Sequence, residues 1–320
     1  MRYPKSIEWT LDGLNLQIES GERLALVGSS GSGKSSIAKV LLHLLPKGSE
    51  CEGHLLVAGK DPRKLNQSSL RLLRGHEVGL VFQDPMTRLN PLMTVGGHLV
   101  DTFQAHRPEK KFQWIRETSE ELLEKVGISA ERFNHFPHQF SGGMRQRLVI
   151  ALAMALKPSL LIADEPTTSL DVIVAKQIMK ELNSLCQENN TSLLLITHDL
   201  ALAANWCDRI AVLDGGKIIE SNSTESLINH PVSKIAIRLV NAYQEKESIK
   251  KNSNLISTKS TLLEVRGIRC WYPLNDWPLN KRWIKAVDEV NFSLMEKETL
   301  GIVGLSGCGK STLCKALIGL

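Results

Sequence analysis

The sequence predicts an α/β fold, and three observations carry that reading. Two glycine-rich stretches, "GSSGSGKSS" (Gly28 to Ser36) and "GLSGCGKST" (Gly304 to Thr312), each stand between an apolar run and a segment of helical periodicity. Two further apolar runs, "SLLIADE" and "SLLLITHD", end in acidic residues or histidine, the pattern of strands that carry ligand-binding groups at their ends. A chain of 320 residues, 42% apolar and 23% charged, has room for about two domains with cores of their own.

In the first stretch, "ERLALVG" reads as a strand entering the loop and "IAKVLLHLL" as the helix leaving it. Both stretches fit G-x-x-x-x-G-K-[ST], which gathers backbone N–H groups at a helix N-terminus around a polyphosphate. Gly28, Gly31 and Gly33 let the backbone approach closely. Lys34 is expected to reach the β- and γ-phosphates, and the Ser35 hydroxyl to ligate Mg²⁺. Ser29, Ser30, Ser32 and Ser36 complete the contacts expected of this loop. In the second stretch the same places are held by Gly304, Gly307, Gly309, Lys310, Ser311 and Thr312. The bland alternative is a flexible Gly/Ser linker, but linkers are not clamped between a strand and a helix.

The matches belong to a longer internal repeat with a constant offset of 276, the difference between 310 and 34. Asp12 pairs with Asp288, Glu22 with Glu298 and Lys34 with Lys310. Residues 244–260, "QEKESIKKNSNLISTKS", are polar and charged and read as a linker. The expected organisation is a first domain over 1–243, that linker, and the start of a second copy over 261–320.

A phosphate loop alone does not separate kinases from hydrolases. In "SLLIADEPTTSLD", Asp164 at the strand end can hold Mg²⁺ through water, and Glu165 can polarise the water that attacks a γ-phosphate. In "SLLLITHDL", His198 can contact that phosphate; a lone histidine at a strand end is usually structural and gains weight only beside the other two groups.

Taken together these residues resemble the ABC-transporter ATPase family over about Leu11 to Asp214. The glycine-rich loop is similar to its Walker A motif and "LLIADE" to its Walker B motif. Gln83 in "LVFQDP" matches the Q-loop, "FSGGMRQR" the signature at Ser141 to Gln146, "SLD" (Ser169 to Asp171) the D-loop, and His198 the switch histidine. The resemblance implies a mixed-sheet core, an antiparallel β-subdomain and a helical insert from about Pro91 to Ala155, with a partial second P-loop unit. It makes Gln83 a catalytic and Mg²⁺-binding residue and puts Tyr3 against adenine, with Tyr272 its counterpart. It gives Ser141, Gly142, Gly143, Gln146 and Asp171 to the ATP held by a partner ATPase, so two such domains sandwich two ATP molecules.

"FQDPMTRLNP" and "FPHQFSGGMRQR" resemble the subgroup serving peptide, dipeptide and nickel importers, and "NHPVSKIAIRLVNA" the start of its C-terminal extension. An iron–sulfur cluster of some relatives is not carried over, because no cysteine lies between Cys207 and Cys270. His135 and His138 form an HxxH without an evident third ligand and read as structural. The implied function is ATP hydrolysis powering solute uptake through separate membrane permeases, with a solute-binding protein delivering the solute. The second copy stops within the helix after its loop, so it looks like a shortened member of the tandem two-ATPase branch. The rivals are a soluble ABC ATPase of DNA repair or translation, and a fragment that binds ATP without completing a catalytic site.

Composition narrows the setting. Six cysteines without CxxC pairing suit a reducing compartment. The opening "MRYPKSIEWT" has no apolar core of a signal peptide, and "LVIALAMALKPSLLIA" is broken by Lys157 and Pro158. The expected location is therefore peripheral, on the cytoplasmic face of the membrane. A net charge of +5 without dense basic blocks argues against nucleic acid, and Arg63 to Arg74 reads as a solvated helix face.

Overall fold

The apolar runs without alternation become strands buried on both faces, as such runs must when helices cover a parallel sheet. The structure is a computed structural model that describes residues 1–82, 84, 87–168, 170–248, 260–274, 282–304 and 307–319. It divides into two units, Met1–Leu170 with Val174–Ile249, and Asp171–Ile173 with Lys250–Leu320.

The first unit begins its regular structure with β1 (Arg23–Val27), α1 (Lys34–Leu41), α2 (Gln67–Leu72) and β2 (Val78–Val81). The helical insert follows as α3 (Val95–His106), α4 (Phe112–Lys125) and α5 (Gly142–Met154), close to the expected span. Then come β3 (Leu160–Asp164), α6 (Val172–Glu188), β4 (Ser192–Thr197), α7 (Leu200–Trp206), β5 (Arg209–Asp214), β6 (Lys217–Ser223), α8 (Thr224–Asn229) and α9 (Lys234–Ser248).

Six strands form one sheet in the order β2-β3-β4-β1-β5-β6, parallel except for the antiparallel edge strand β6. Successive side chains of a strand face opposite ways, so each strand feeds two cores. Leu24, Leu26, Leu194 and Ile196 pack with Ile37 and Ala38 of α1 on one face. Ala25, Val27, Leu193 and Leu195 pack with α3, α5 and α6 residues on the other. β4 lies in the middle of the sheet with all six residues buried.

Two features differ in extent from what the sequence leads one to expect. Among the described residues the antiparallel β-subdomain of the first copy is present as isolated pairings: Arg2 bridges Glu50, Val57 bridges Lys60, and Met1 and Leu11 exchange both backbone hydrogen bonds. Leu14, Leu16 and Ile18 are half-buried and alternate with exposed Asn15 and Gln17, a strand pattern that finds no ladder partner among the described residues. The linker is also shorter at its start, because α9 continues to Ser248. Gln244 and Glu245 are good helix formers, and Tyr243 just before them packs on the core.

The second unit contains β7 (Thr261–Leu274), its antiparallel partner β8 (Arg282–Met295), and α10 (Lys310–Leu317). Its buried apolar residues among those described are Val265, Val287 and Leu313. The segment before its glycine loop is not a strand, and Val303 is 92% exposed where its repeat counterpart Val27 is 0% exposed.

Candidate nucleotide-hydrolysis site

β1 ends at Val27 and the chain turns through the glycine loop into α1, whose first turn no side chain caps. Its leading N–H groups are thus left to a ligand, the usual state of a helix start that binds anions. Gly28 permits a close approach: a Cβ there would lie 2.3 Å from the Leu213 carbonyl oxygen. Gly33 holds a left-handed φ of 101°, and a Cβ on it would lie 2.8 Å from Leu11. Lys34 is 7% exposed, and its Nζ donates to the carbonyls of Gly28 and Ser29, each at 2.7 Å. Burial pulls its pKa below the ordinary lysine value, while Glu165 and Asp164 oppose the shift. Ser29, Ser30, Gly31 and Ser35 are exposed on the loop, whereas the buried Ser32 hydroxyl has no partner among the described residues. The Tyr3 hydroxyl lies 3.0 Å from Ser36 Oγ, which places Tyr3 beside the start of α1.

Parallel pairing brings the ends of three strands together. In the ladder Asp164 of β3 stands opposite Ile196 of β4, and Thr197 opposite Val27 of β1. Burial pushes the Asp164 carboxyl pKa up, a shift that the nearby Ser35 hydroxyl and Lys34 oppose. Its Oδ1 is buried without a hydrogen-bond partner among the described residues. Glu165 takes a left-handed φ of 46°, with its N–H donating to the Ile196 carbonyl at 2.9 Å. His198 Nδ1 lies 2.9 Å from Glu165 Oε1, and the Thr168 hydroxyl donates to Oε2 at 2.9 Å. Burial pushes the Glu165 carboxyl up, but these two hydrogen bonds and the charges of His198 and Lys34 together leave it below the usual glutamate range. Thr168 was not among the residues expected from sequence. Its signal there, one hydroxyl among several in "PTTS", carries no information about its partner.

The profile of the ABC transporter family matches residues 11–168 and 287–320, more than half of the chain. This chain belongs to the ABC transporter family. It is 38% identical over 313 residues to the peptidoglycan transport ATP-binding protein YejF of Agrobacterium fabrum, covering 96% of this chain and 56% of that protein. The oligopeptide transport ATP-binding protein OppD of Bacillus subtilis is 44% identical over 223 residues, 68% of this chain and 62% of the relative. The chain thus spans less than two thirds of the length of these relatives. Its fold is similar to that of MJ0796, a dimeric ATP-binding cassette in a post-hydrolysis state bound to ADP and Pi. The TM-score is 0.62 at 29% identity, covering 70% of this chain and 94% of that one.

The other residues of the ABC pattern are dispersed. Ser141 caps α5, its side chain accepting from the Met144 N–H at 3.3 Å, and Ser141 and Gly142 are exposed. Gly143 has no room for a side chain, since a Cβ would lie 2.6 Å from Val174. Gln146 corrects an expectation: it is 2% exposed, and its Nε2 is buried without a partner among the described residues, so its side chain does not face a partner ATPase. It lies one turn deeper in α5, on the face that Val149 and Ile150 bury. Asp171 is half-buried ahead of α6. Gln83 and Ser169 lie outside the described residues. His138 is exposed and stacks on Phe136, and no group of three or more His, Cys, Asp or Glu is arranged to hold a metal among the described residues.

In the second unit Lys310 Nζ donates to the Gly304 carbonyl at 2.8 Å and Gly309 holds a φ of 94°, repeating the first loop. Gly307, Ser311 and Thr312 follow the same pattern, and Tyr272 is exposed on β7.

Proposed function

We propose that this chain is the ATP-binding subunit of an importer, hydrolysing ATP to drive uptake of peptides or related solutes, nickel among them, through separate membrane permeases. One observation carries the reading: Lys34, Asp164, Glu165 and His198 converge at the C-terminal ends of three adjacent parallel strands.

The loop N–H groups and Lys34 bind the β- and γ-phosphates of ATP. The buried Asp164 Oδ1, without a partner among the described residues, and the nearby Ser35 hydroxyl fit a hard cation that keeps part of its water shell, so these two residues would hold Mg²⁺. Bound there, Mg²⁺ supplies charge neutralisation on the phosphate oxygens. Gln83 is proposed as a further contact to the cation and the attacking water. Glu165 orients that water, whose oxygen bonds the γ-phosphorus as the bond to the departing ADP oxygen breaks. The proton passes through Glu165 to solvent, and His198 contacts the γ-phosphate. Tyr3 stacks on the adenine.

Ser141, Gly142 and Gly143, with Asp171, close over ATP held by a partner ATPase. Hydrolysis therefore requires a dimer or a second ATPase subunit. A solute-binding protein acts indirectly through the permeases, and nucleic acid has no part. Among the described residues no helix is long and apolar enough to cross a membrane, which accords with a peripheral place at the cytoplasmic face. The names of the relatives, transport proteins for peptidoglycan and oligopeptides, support the peptide-type reading over a stretch of their length. The second unit is read as the start of a second ATPase copy, since its glycine loop repeats the geometry of the first.

The test is co-expression with the permeases of its transport system, followed by affinity capture and a phosphate-release assay. Capture of permeases with ATP turnover is expected. Capture of ribosomes or DNA instead, or ATP binding without turnover in the captured complex, would overturn the reading.

A further inference from the structure

We propose that Thr168 is a positioning residue for Glu165, the anchor that keeps the carboxylate oriented when His198 turns to the nucleotide. The proposal rests on the reading of Glu165 as the group that orients the attacking water.

The carboxylate is held from two sides by unlike partners. His198 reaches Oε1 at 2.9 Å, and its side chain is 63% exposed and so able to swing toward a phosphate. Thr168 reaches Oε2 at 2.9 Å from within the same turn. Its backbone N–H also donates to the Glu165 carbonyl at 3.2 Å, which ties the hydroxyl to the residue it serves. Glu165 itself is pinned at its N–H by the Ile196 carbonyl and adopts a φ of 46°, a conformation few glutamates take without surrounding restraint. Backbone and Oε2 are thus fixed by the turn, while Oε1 is held by the exposed partner.

This asymmetry suits the chemistry. A glutamate carboxylate that loses its hydrogen bonds rotates about its Cγ–Cδ bond, whereas a water for in-line attack must sit within hydrogen-bond reach at one defined place. When His198 leaves Oε1 for the γ-phosphate, the water takes the place of the histidine in that hydrogen bond. Thr168 keeps Oε2 and so keeps the plane of the carboxylate. The methyl of Thr168 does no such work: the residue is exposed and belongs to none of the apolar clusters. Valine has nearly the same shape, so only the hydroxyl separates the two in this position.

The full chain, at a protein concentration where turnover is saturated, is assayed as parent, Thr168→Val, Thr168→Ser and Glu165→Gln. Thr168→Val is expected to lower kcat about tenfold while leaving KM and equilibrium affinity for ATP unchanged, and Thr168→Ser to stay within about twofold of the parent. A crystal structure of Thr168→Val with ATP is expected to show the carboxylate turned away from its present plane. Thermal melting checks folding, with Thr168→Ala as the substitute if valine is not tolerated. A parental kcat in Thr168→Val, or equal losses in the valine and serine variants, would overturn the proposal. If Glu165→Gln keeps its turnover, the underlying reading of Glu165 fails; if it is inactive while Thr168→Val is fully active, only the anchor fails.

Discussion

Glu165 and His198 meet across the ends of two neighbouring strands, Nδ1 to Oε1 at 2.9 Å, although 33 residues separate them in the chain. The register of β3 against β4 brings them together, since Asp164 stands opposite Ile196 and each functional residue follows within two positions. Lys34 gives its hydrogen bonds to its own loop carbonyls rather than to this pair.

That separation of tasks predicts separable losses. Glu165→Gln should reduce ATP turnover by about 10²–10⁴-fold while ATP still binds, because the amide keeps the shape and loses the charge. Lys34→Ala should instead lose nucleotide binding. Equilibrium binding measured beside phosphate release decides between them, and an active Glu165→Gln chain would remove the assigned role.

The exposed start of α5 predicts activity shared between chains. Specific activity should rise with protein concentration. Mixing a Ser141→Arg chain with a Lys34→Ala chain should recover part of the turnover that each lacks, since one retains an intact phosphate loop and the other an intact signature. Turnover independent of dilution in a proven monomer would contradict this.

Gln146 is expected to be replaceable. A buried amide with an unpaired donor costs stability, so an apolar residue of similar volume is neutral or favourable there. Gln146→Leu should melt at or above the parental temperature and keep its turnover. A loss of turnover without a loss of stability would place this side chain at the nucleotide after all.

Residues 261–320 should not form a stable domain alone. Val303, 92% exposed, and Ile302, 40% exposed, stand where Val27 and Leu26 are fully buried in the first unit. A pair of strands and one helix bury too little area to offset chain entropy. Limited proteolysis should cut within 249–260 first and then degrade the second unit, sparing the first. A cooperatively melting 261–320 fragment would contradict this.

Residue order was enough to single out Lys34, Ser35, Asp164, Glu165 and His198 as candidates, because phosphate chemistry demands particular residue types after apolar runs long enough to be strands. It was also enough to find the repeat, while the helical insert followed from the family resemblance. Three matters needed the folded chain. Thr168 meets Glu165 only through a turn at positive φ, which a hydroxyl in a run of hydroxyls does not announce. Gln146 is buried because α5 turns that face inward with Val149 and Ile150, a helical phase that the signature wording obscured. Val27 and Val303 stand in matching sequence, yet β1 is a strand because β4 and β5 flank it, and the described residues before the second loop form none. A strand takes its hydrogen bonds and its burial, about 1.5–3 kcal/mol for each large apolar side chain, from its neighbours, so a repeated sequence repeats its structure only where those neighbours recur.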